Sequence, residues 1–360
     1  MKHPRMAAIA ALSSLVLVTA CSNSEEEPAA DSATSSEASA GDDSQATTDV
    51  EQETAEPGDD AEETTEAEGV GVIGIEQAEE IATDLLTSAA EVNNGSGEKI
   101  EAPAAAAYRG NTEVAALAAD ELEEVTGKPK KRDLDADPIE PNVLAISRDD
   151  GESPLLMLVQ TVPDSGTPEL YVMASPGAPE RFRIVWSAPM LPGTDIGTFD
   201  RRSLGSPILR EGKGDLPQSP VDLLEALGDY LDYPARDVLD VKTNGYAPQV
   251  RKAADSQAEA VSTQAEFTES NSVPERTYTF FREDGSAVTF AVLKRQSDFT
   301  VREGMELTPP EEYLVFDDEE AINTRARLYT NVFVAMTLPM ASERPEMIAA
   351  REQLVDSEGF

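Results

Sequence analysis

Apolar positions recur along this chain with two periods, which predict helices in some segments and strands in others. Near residue 75 the period is helical, because Ile75, Ile81 and Leu85 fall on one face of a helix. Comparable helical patterns occupy four further segments: residues 111–126, a stretch starting at residue 219, residues 247–267 and a short terminal stretch, residues 346–355.

Two of the predicted helices carry signals at their ends. Gly127 follows the helix of residues 111–126, and glycine is favoured there because it readily adopts the left-handed backbone conformation. Ser219 suits the N-cap of the next helix, since Pro220 follows at the first helical position and Asp222 adds an acid in the first turn. The sequence therefore predicts a helix end at residue 127 and a helix start at residue 219.

Two segments show the pattern of a β-hairpin. In each, a strand-like run leads into an Asp-Gly pair and then into an apolar run. Such a pair between two strand-like runs is a strong short-range turn signal. The predicted hairpins are centred on Asp150-Gly151, between residues 143–147 and 155–159, and on Asp284-Gly285, between residues 277–281 and 287–293.

The two hairpins are the first of three matches that suggest an internal duplication. They lie 134 residues apart, a Pro-Glu segment leading to Tyr171 or Tyr313 recurs at an offset of 142, and the segments beginning at Trp186 and Phe333 recur at 147. Because the matches keep their order, we predict two tandem modules. Helices precede strands in each half, which favours α+β modules with a helix packed on an antiparallel sheet. The predicted modules span residues 70–212 and 213–360.

This order of elements is similar to that of cystatin-like and nuclear-transport-factor-2-like folds, in which a curved antiparallel sheet wraps around a long helix. The resemblance rests on element order and covers nearly all of residues 70–360. It implies a cavity between the helix and the concave sheet face, in a superfold that serves both enzymes and binding modules. Aromatic side chains at the matched positions either line such a pocket or belong to the core. These candidate pocket residues are Tyr171, Trp186, Tyr313 and Phe333.

Residues 1–20 form a predicted lipoprotein signal peptide. Lys2 and Arg5 give a positive start, and the apolar stretch from Met6 to Val18 has thirteen residues, short of the roughly 20 that span a bilayer. The following Val18-Thr19-Ala20-Cys21 resembles the lipobox of bacterial lipoproteins. The resemblance implies cleavage before Cys21 and acylation of its thiol, which would anchor the chain to the outer face of the cell membrane. The alternative is a secreted protein with a spare thiol, which is unusual in an oxidising compartment.

Residues 21–69 are predicted to be a disordered acidic linker that begins with the lipidated Cys21. Between Ser22 and Gly69 there are 17 acidic residues and no lysine, arginine or aromatic residue. Such a segment buries too little apolar surface to offset its ordering entropy, and repulsion between like charges extends it. A flexible coil of this length reaches roughly 35–40 Å, enough to hold a domain away from a membrane.

The charge balance excludes some partners. The chain has 70 acidic and 28 basic residues, a net charge of −42, which argues against nucleic acid because its recognition needs basic surfaces. The preference for arginine over lysine and the frequent alanine resemble proteins of G+C-rich actinobacteria. With the lipobox, the whole chain resembles uncharacterised surface lipoproteins of that Gram-positive group.

The scarcity of histidine and cysteine excludes several chemistries. The one histidine, His3, lies in the predicted signal peptide, and the one cysteine is the predicted lipidation site. Catalysis by Ser-His-Asp or Cys-His groups is therefore excluded for the mature chain, as are the usual zinc, copper and haem sites. We predict no cofactor, no metal site and no catalytic residue.

Four further groups of residues resemble functional motifs but favour a structural interpretation. Asp133, Asp135 and Asp137 open like a calcium loop, but Pro138 and Leu144 replace the glycine and glutamate that the EF-hand pattern requires. The Ser96 to Lys99 segment matches the Ser-x-x-Lys pattern without its companion motifs, and it lies in a turn-like segment. Two charged clusters complete the set: the acidic residues 317–320, which suit a loop or a helix start, and the basic residues 128–132, which suit a helix C-terminus or contact an anionic envelope component.

Three functions follow in order of preference. The first is a non-enzymatic, lipid-anchored extracytoplasmic protein that binds a protein or a cell-envelope component, such as a wall polymer. The second is a small-molecule binding or carrier module that uses a cystatin-like pocket. The third is an envelope hydrolase that works through carboxylates, which needs two acids facing each other across a cleft.

Overall fold

A computed structural model describes residues 70–127, 134, 138–163, 166–236, 238–274, 276–340 and 343–360. The predicted signal peptide, the lipidation site Cys21 and the acidic linker lie outside the described residues. So do the basic cluster of residues 128–132 and the three aspartates at positions 133, 135 and 137. The described part combines helices with antiparallel sheets, which confirms the predicted α+β class.

Twice along the described chain, a group of helices precedes a group of strands, and the short helix α7 lies between β8 and β9. The helices are α1 (Ile75–Asn94), α2 (Glu101–Ala107), α3 (Asn111–Glu121), α4 (Glu123–Thr126), α5 (Pro220–Leu231), α6 (Tyr246–Val261) and α7 (Glu311–Leu314). The strands are β1 (Asn142–Ile146), β2 (Leu155–Thr161), β3 (Glu169–Ser175), β4 (Arg183–Pro189), β5 (Ile208–Leu209), β6 (Ala265–Ser272), β7 (Tyr278–Phe281), β8 (Ala287–Val301), β9 (Arg325–Leu338) and β10 (Met347–Gly359).

The first sheet is an antiparallel meander in the order β1-β2-β3-β4. Its turn after β1 contains Gly151 at a φ of 76°, a conformation that glycine adopts without steric cost. The second sheet has the order β10-β9-β8-β7-β5, and β6 also pairs with β8. The turn between β7 and β8 contains Gly285 at a φ of 81°. Both predicted Asp-Gly hairpins are therefore confirmed.

The two sheets pack face to face, with helices on their outer faces. Helices α1 and α2 cover the first sheet through a core that includes Leu86, Ile100 and Phe182. Helices α5 and α6 cover the second sheet through a core that includes Leu224 and Leu227. The core between the sheets draws residues from both predicted modules, and β5, within residues 70–212, pairs with β7 of the second sheet.

Trp186 is the largest side chain in the core between the sheets. It is fully buried, and its ring contacts that of Phe290 edge-on at a centroid distance of 4.9 Å. The Trp186 Nε1–H donates a hydrogen bond of 2.9 Å to the carbonyl oxygen of Ala291 in β8. One side chain of β4 thus joins both sheets through packing and through a satisfied polar group.

Helix α3 lies along the side of the two-sheet stack. It contacts β4 of the first sheet and β10 of the second, and Ala115 joins the core between the sheets. The helix begins at Asn111 as predicted, but the predicted single helix to residue 126 is divided at Leu122. Gly127 ends α4 at a φ of 87°, so the predicted helix end at residue 127 is confirmed.

Ser219 caps α5 as predicted, since its Oγ accepts a hydrogen bond from the Asp222 N–H at 3.0 Å.

Two sequence predictions of secondary structure are wrong. Residues 346–355 were predicted as a helix but belong to strand β10, which pairs with β9 along its length. Their local preference for helix is overridden because four consecutive residues, 347 to 350, are buried in the sheet. The helix predicted for residues 247–267 ends at Val261, and Phe267 lies in β6.

One of the three matches between the halves joins unlike elements. Tyr171 lies in strand β3, whereas Tyr313 lies in helix α7. The segments beginning at Trp186 and Phe333 both lie in strands, β4 and β9. The Pro-Glu-Tyr match therefore does not mark equivalent positions of two repeats.

Candidate functional site

A polar groove crosses the part of the second sheet that the first sheet leaves uncovered. It has a volume of about 500 Å³ and is bounded by strands β6, β8, β9 and β10 and by helix α3. We call it the sheet groove. It is lined by Val114, Ser270, Asn271, Ser272, Lys294, Arg295, Gln296, Tyr329, Thr330, Asn331, Val355 and Asp356.

The alternation of side chains along β8 creates the groove. Phe290 and Val292 point into the core between the sheets, and Lys294 and Gln296 continue on the same face because strand side chains alternate with a period of two. The register pairs Lys294 with Asn331 and Gln296 with Tyr329. The change from apolar to polar residues on one face of one strand marks where the cover of the first sheet ends.

Lys294 is held in the groove by a chain of two hydrogen bonds. Its Nζ donates to Asn331 Oδ1 at 2.6 Å, and Asn331 Nδ2 donates to the carbonyl oxygen of Asn111 at 3.1 Å. Asn331 is fully buried, so its amide is fixed between the start of α3 and the lysine. Desolvation lowers the pKa of the Lys294 ammonium. Among the described residues, no carboxylate forms an ion pair with Lys294.

Beyond the groove, the same sheet face carries ion pairs. Asp298 Oδ1 accepts hydrogen bonds from the Nε atoms of Arg325 and Arg327, at 2.7 and 3.0 Å. Burial acts to raise the pKa of Asp298, but its hydrogen bonds to Gln296 and to these arginines outweigh it and hold the pKa below its ordinary value. Tyr329 donates from its hydroxyl to Glu358 at 2.9 Å. Within the part of the chain that the structure describes, these two arginines therefore have a carboxylate partner and Lys294 has none.

A buried ionic cluster lies behind the groove, on the helix side of the second sheet. Arg295 of β8 donates from its two terminal nitrogens to the carboxylate of Glu352 in β10, at 2.9 and 3.0 Å. The side chains are 7% and 14% exposed. Tyr246 of α6 donates its hydroxyl to the same carboxylate, and burial together with Glu352 raises the pKa of Tyr246. The cluster fastens α6 to two strands of the sheet.

Glu269 of β6 lies beside this cluster, and only one of its two carboxylate oxygens is hydrogen-bonded among the described residues. Its Oε1 accepts a hydrogen bond from Ser297 Oγ at 2.8 Å, while its buried Oε2 has no hydrogen-bond partner among the described residues. Burial raises the pKa of Glu269, and the attraction of Arg295 and the bond from Ser297 oppose that rise. An ionised Glu269 therefore costs the folded state free energy.

The variant Glu269→Gln is expected to be more stable than the wild type at pH 7 and equally stable near pH 4. The pKa of Glu269 is raised above its ordinary value of 4.5 on folding. Its contribution to stability is consequently full below pH 4.5 and is lost as the pH rises through the folded-state pKa. Melting temperatures measured from pH 4 to 8 test this, with the exposed Glu266→Gln on the same strand as a control. A lower melting temperature of Glu269→Gln at pH 7 would show that the carboxylate stabilises the cluster instead.

The structure distributes the four predicted pocket aromatics over three hydrophobic clusters. Trp186 and Phe333 are both fully buried in the core between the sheets. Tyr171 packs at the edge of the core beneath α1 and α2, and Tyr313 lies in a separate core below α6. The sheet groove is lined by none of these four side chains. Trp186 and Phe333 are therefore core residues and do not line a pocket in the sheet groove.

The other sequence constellations also receive places in the described structure. Ser96 precedes a short 3₁₀ turn, Gly97–Lys99, which agrees with its turn-like sequence. Asp317 follows α7 and accepts hydrogen bonds from the backbone N–H groups of Glu319 and Gly359, which suits the predicted loop role. Within the described ranges, no group of three or more His, Cys, Asp or Glu side chains is placed to hold a metal ion. Among the helices of these ranges, none has the length and apolar character to cross a bilayer.

Sequence reasoning missed the groove, although β8 carries a signal for it. The run from Ala287 to Leu293 is apolar except for Thr289, and residues 294 to 298 are all polar. That transition indicates a strand that leaves a two-sided core and becomes exposed on one face. The partners of Lys294 cannot be identified this way, because they depend on strand register and on the position of α3.

The proposal for the function of this chain rests on the geometry of the site, because the comparisons with known proteins found no match. No family model matches the sequence, and no curated protein and no solved structure matches the chain.

Proposed function

We propose that this chain is a non-enzymatic, extracytoplasmic binding protein that holds a polar component of the cell envelope in the sheet groove. The observation that carries the proposal is the groove itself, about 500 Å³ in volume and lined by hydroxyl, amide and charged groups. Ligand sites of this size bind through a few placed polar groups that fix the orientation of the ligand. The ligand is a small polar molecule or the polar end of a larger wall or protein component.

The N-terminal sequence supports the envelope location in this proposal. The lipobox Val18-Thr19-Ala20-Cys21 supports attachment of acyl chains to Cys21, and the acidic residues that follow support an extended linker. Several acyl chains hold a protein firmly, since each buried methylene adds about 0.8 kcal/mol of membrane affinity. The groove would then face envelope components within the reach of the linker.

The absence of catalytic function in this proposal rests on residue types. The chain has one histidine, His3, and one cysteine, Cys21, both in or beside the predicted signal peptide. Among the residues that line the groove, the polar side chains on its own sheet face are serines, amides, a tyrosine, a lysine and Asp356, while Arg295 and Thr330 alternate to the opposite face. A carboxylate-dependent hydrolase needs two acids facing the substrate, and Asp356 is the single acid in this lining.

We also propose that the two halves arose by duplication. Helices α1 to α4 precede an antiparallel meander, and helices α5 and α6 precede a second sheet in which β8, β9 and β10 form a meander. Sequences of relatives would support this if their halves align over both Asp-Gly hairpins, and would contradict it if those hairpins occur in one half alone.

Blocking the groove is expected to abolish capture of the ligand. Ser270 is exposed on β6 and lines the groove, so Ser270→Trp would fill it with an indole while leaving the strand backbone unchanged. The full chain is immobilised and exposed to an envelope extract of its own organism, and the retained molecules are identified by mass spectrometry.

The matched control is Glu266→Trp. This exposed residue lies on the same strand and the same sheet face, roughly 13 Å from Ser270, and outside the groove lining. A small molecule or a glycan retained by the wild type and by the control, but lost in Ser270→Trp, is the expected result. Equal retention by all three proteins would refute the groove as the binding site, and a protein partner retained by all three would favour an adaptor that uses another surface.

A further inference from the structure

The groove contains the ammonium of Lys294, which forms no ion pair with a carboxylate of the described residues. Lys294 Nζ donates one hydrogen bond to Asn331 Oδ1, at 2.6 Å, and the ammonium group has two further N–H donors. The neighbouring arginines on this sheet face, Arg325 and Arg327, are paired with Asp298. Lys294 is exposed and, among the described residues, has no carboxylate partner, so its ammonium is a local attraction for an external anion that opposes the repulsion from the chain's net charge of −42.

The surroundings of Lys294 are built to hold its position. Asn331 is fully buried and is itself fixed by its hydrogen bond to the Asn111 carbonyl, so the lysine is bound to an acceptor that cannot rotate freely. Ser272 lies directly opposite Lys294 on β6, and Ser270 lies opposite Gln296 on the same face. The Ser272 hydroxyl donates to the carbonyl oxygen of Lys294 at 3.5 Å, and the Gln296 amide donates to Asp298 at 2.5 Å, so one N–H of that amide is left for a ligand on this face. An oxyanion would accept hydrogen bonds from the two remaining N–H groups of the ammonium, whereas a cationic ligand group would meet the like charge of that ammonium.

We propose that Lys294 is an anion subsite, so that the polar ligand of the groove carries a carboxylate or phosphate group that binds there. The inference rests on the proposed binding function and names the chemistry of one end of the ligand. Charge-assisted hydrogen bonds are about twice as strong as neutral ones, so this contact would set the orientation of the ligand in the groove. Hydroxyl groups on the remainder of the ligand would meet Ser270, Gln296 and Tyr329.

The test compares two pairs of probes that differ in their charge. N-acetylmuramic acid differs from N-acetylglucosamine by a group that carries a carboxylate, and glycerol 3-phosphate differs from glycerol by its phosphate. Each probe is titrated against the full chain at constant ionic strength. Binding is followed through the NMR signal of the Asn331 side-chain amide, which contacts Lys294. At least one charged probe is expected to bind roughly tenfold tighter than its neutral counterpart, and the pair that responds identifies a carboxylate or a phosphate ligand.

Lys294→Gln is expected to remove this advantage, because glutamine keeps a polar side chain without the charge. Lys252→Gln, at an exposed position on α6, makes the same change in net charge outside the groove and is expected to keep the advantage. The proposal is overturned if charged and neutral probes bind equally, if the advantage persists in Lys294→Gln, or if no probe shifts the Asn331 signal.

The two proposals fail in different ways. If Ser270→Trp blocks capture from the envelope extract while Lys294→Gln leaves capture unchanged, the groove binds its ligand but the anion subsite is wrong. If Ser270→Trp leaves capture unchanged, the proposed binding function is wrong whatever the effect of Lys294→Gln.

Discussion

Replacing Arg295 with methionine is expected to lower the free energy of unfolding by about 3–5 kcal/mol, the usual cost of removing one partner of a buried ion pair. Arg295 is 7% exposed and donates two hydrogen bonds to Glu352, on the opposite side of the sheet from Lys294. Without the guanidinium, the carboxylate of Glu352 keeps only the hydroxyl of Tyr246, and Glu269 loses the charge that opposes the rise of its pKa. Urea unfolding followed by circular dichroism measures the loss.

Arg344→Met provides the matched control for this variant. Arg344 pairs with Asp240 at 3.3 Å, but the two side chains are 64% and 85% exposed, and exposed pairs contribute about 0–1 kcal/mol. A loss for Arg295→Met no larger than that of the control would contradict a stabilising role of the cluster. The double variant Arg295→Met with Glu352→Leu is expected to recover part of the loss, because it removes the uncompensated carboxylate.

Replacing Trp186 with alanine is expected to lower the free energy of unfolding by about 3–5 kcal/mol. The indole is fully buried between the sheets, so its removal leaves a cavity beside Phe290 and breaks the hydrogen bond to the carbonyl oxygen of Ala291. Both sheets lose packing at once, since Trp186 belongs to β4 and its partners belong to β8. Urea unfolding followed by far-ultraviolet circular dichroism measures the change.

Two further substitutions separate the causes of that loss. Trp186→Phe keeps an aromatic ring and removes the Nε1–H donor, so it is expected to cost less, about 1–3 kcal/mol for the lost hydrogen bond and the smaller ring. Phe360→Ala removes an aromatic side chain that is 48% exposed and is expected to cost less than either. If Trp186→Ala were no more destabilising than Phe360→Ala, the packing between the sheets would not depend on the indole.

The local features of the fold were predictable because they depend on a few adjacent residues. Asp150-Gly151 and Asp284-Gly285 form the turns of two hairpins, since glycine accepts the positive φ that these turns require. Ser219 caps α5 because its hydroxyl reaches the N–H of Asp222 three residues later. The α+β class follows from the same local patterns of period and turn.

The errors arose where the sheet overrode local preference. The segment of residues 346–355 has a helix-like composition, yet it forms β10 because β9 offers an edge and the two sheets bury residues 347 to 350. Tyr171 and Tyr313 follow similar Pro-Glu segments, but one pairs within β3 and the other lies in α7. Tertiary burial decides the state of such short segments, because their intrinsic preferences differ by little free energy.

By itself the sequence determined the class of the fold, the two hairpins, the ends of two helices, and the residue types that exclude histidine and cysteine chemistry. Only the tertiary structure decided the candidate site. Lys294 and Asn331 are 37 residues apart, and Asn111 is 220 residues from Asn331, so strand register and the position of α3 bring these three groups together. A turn or a cap depends on neighbours in the chain, whereas a groove depends on contacts between distant segments, which the packing of the whole fold establishes.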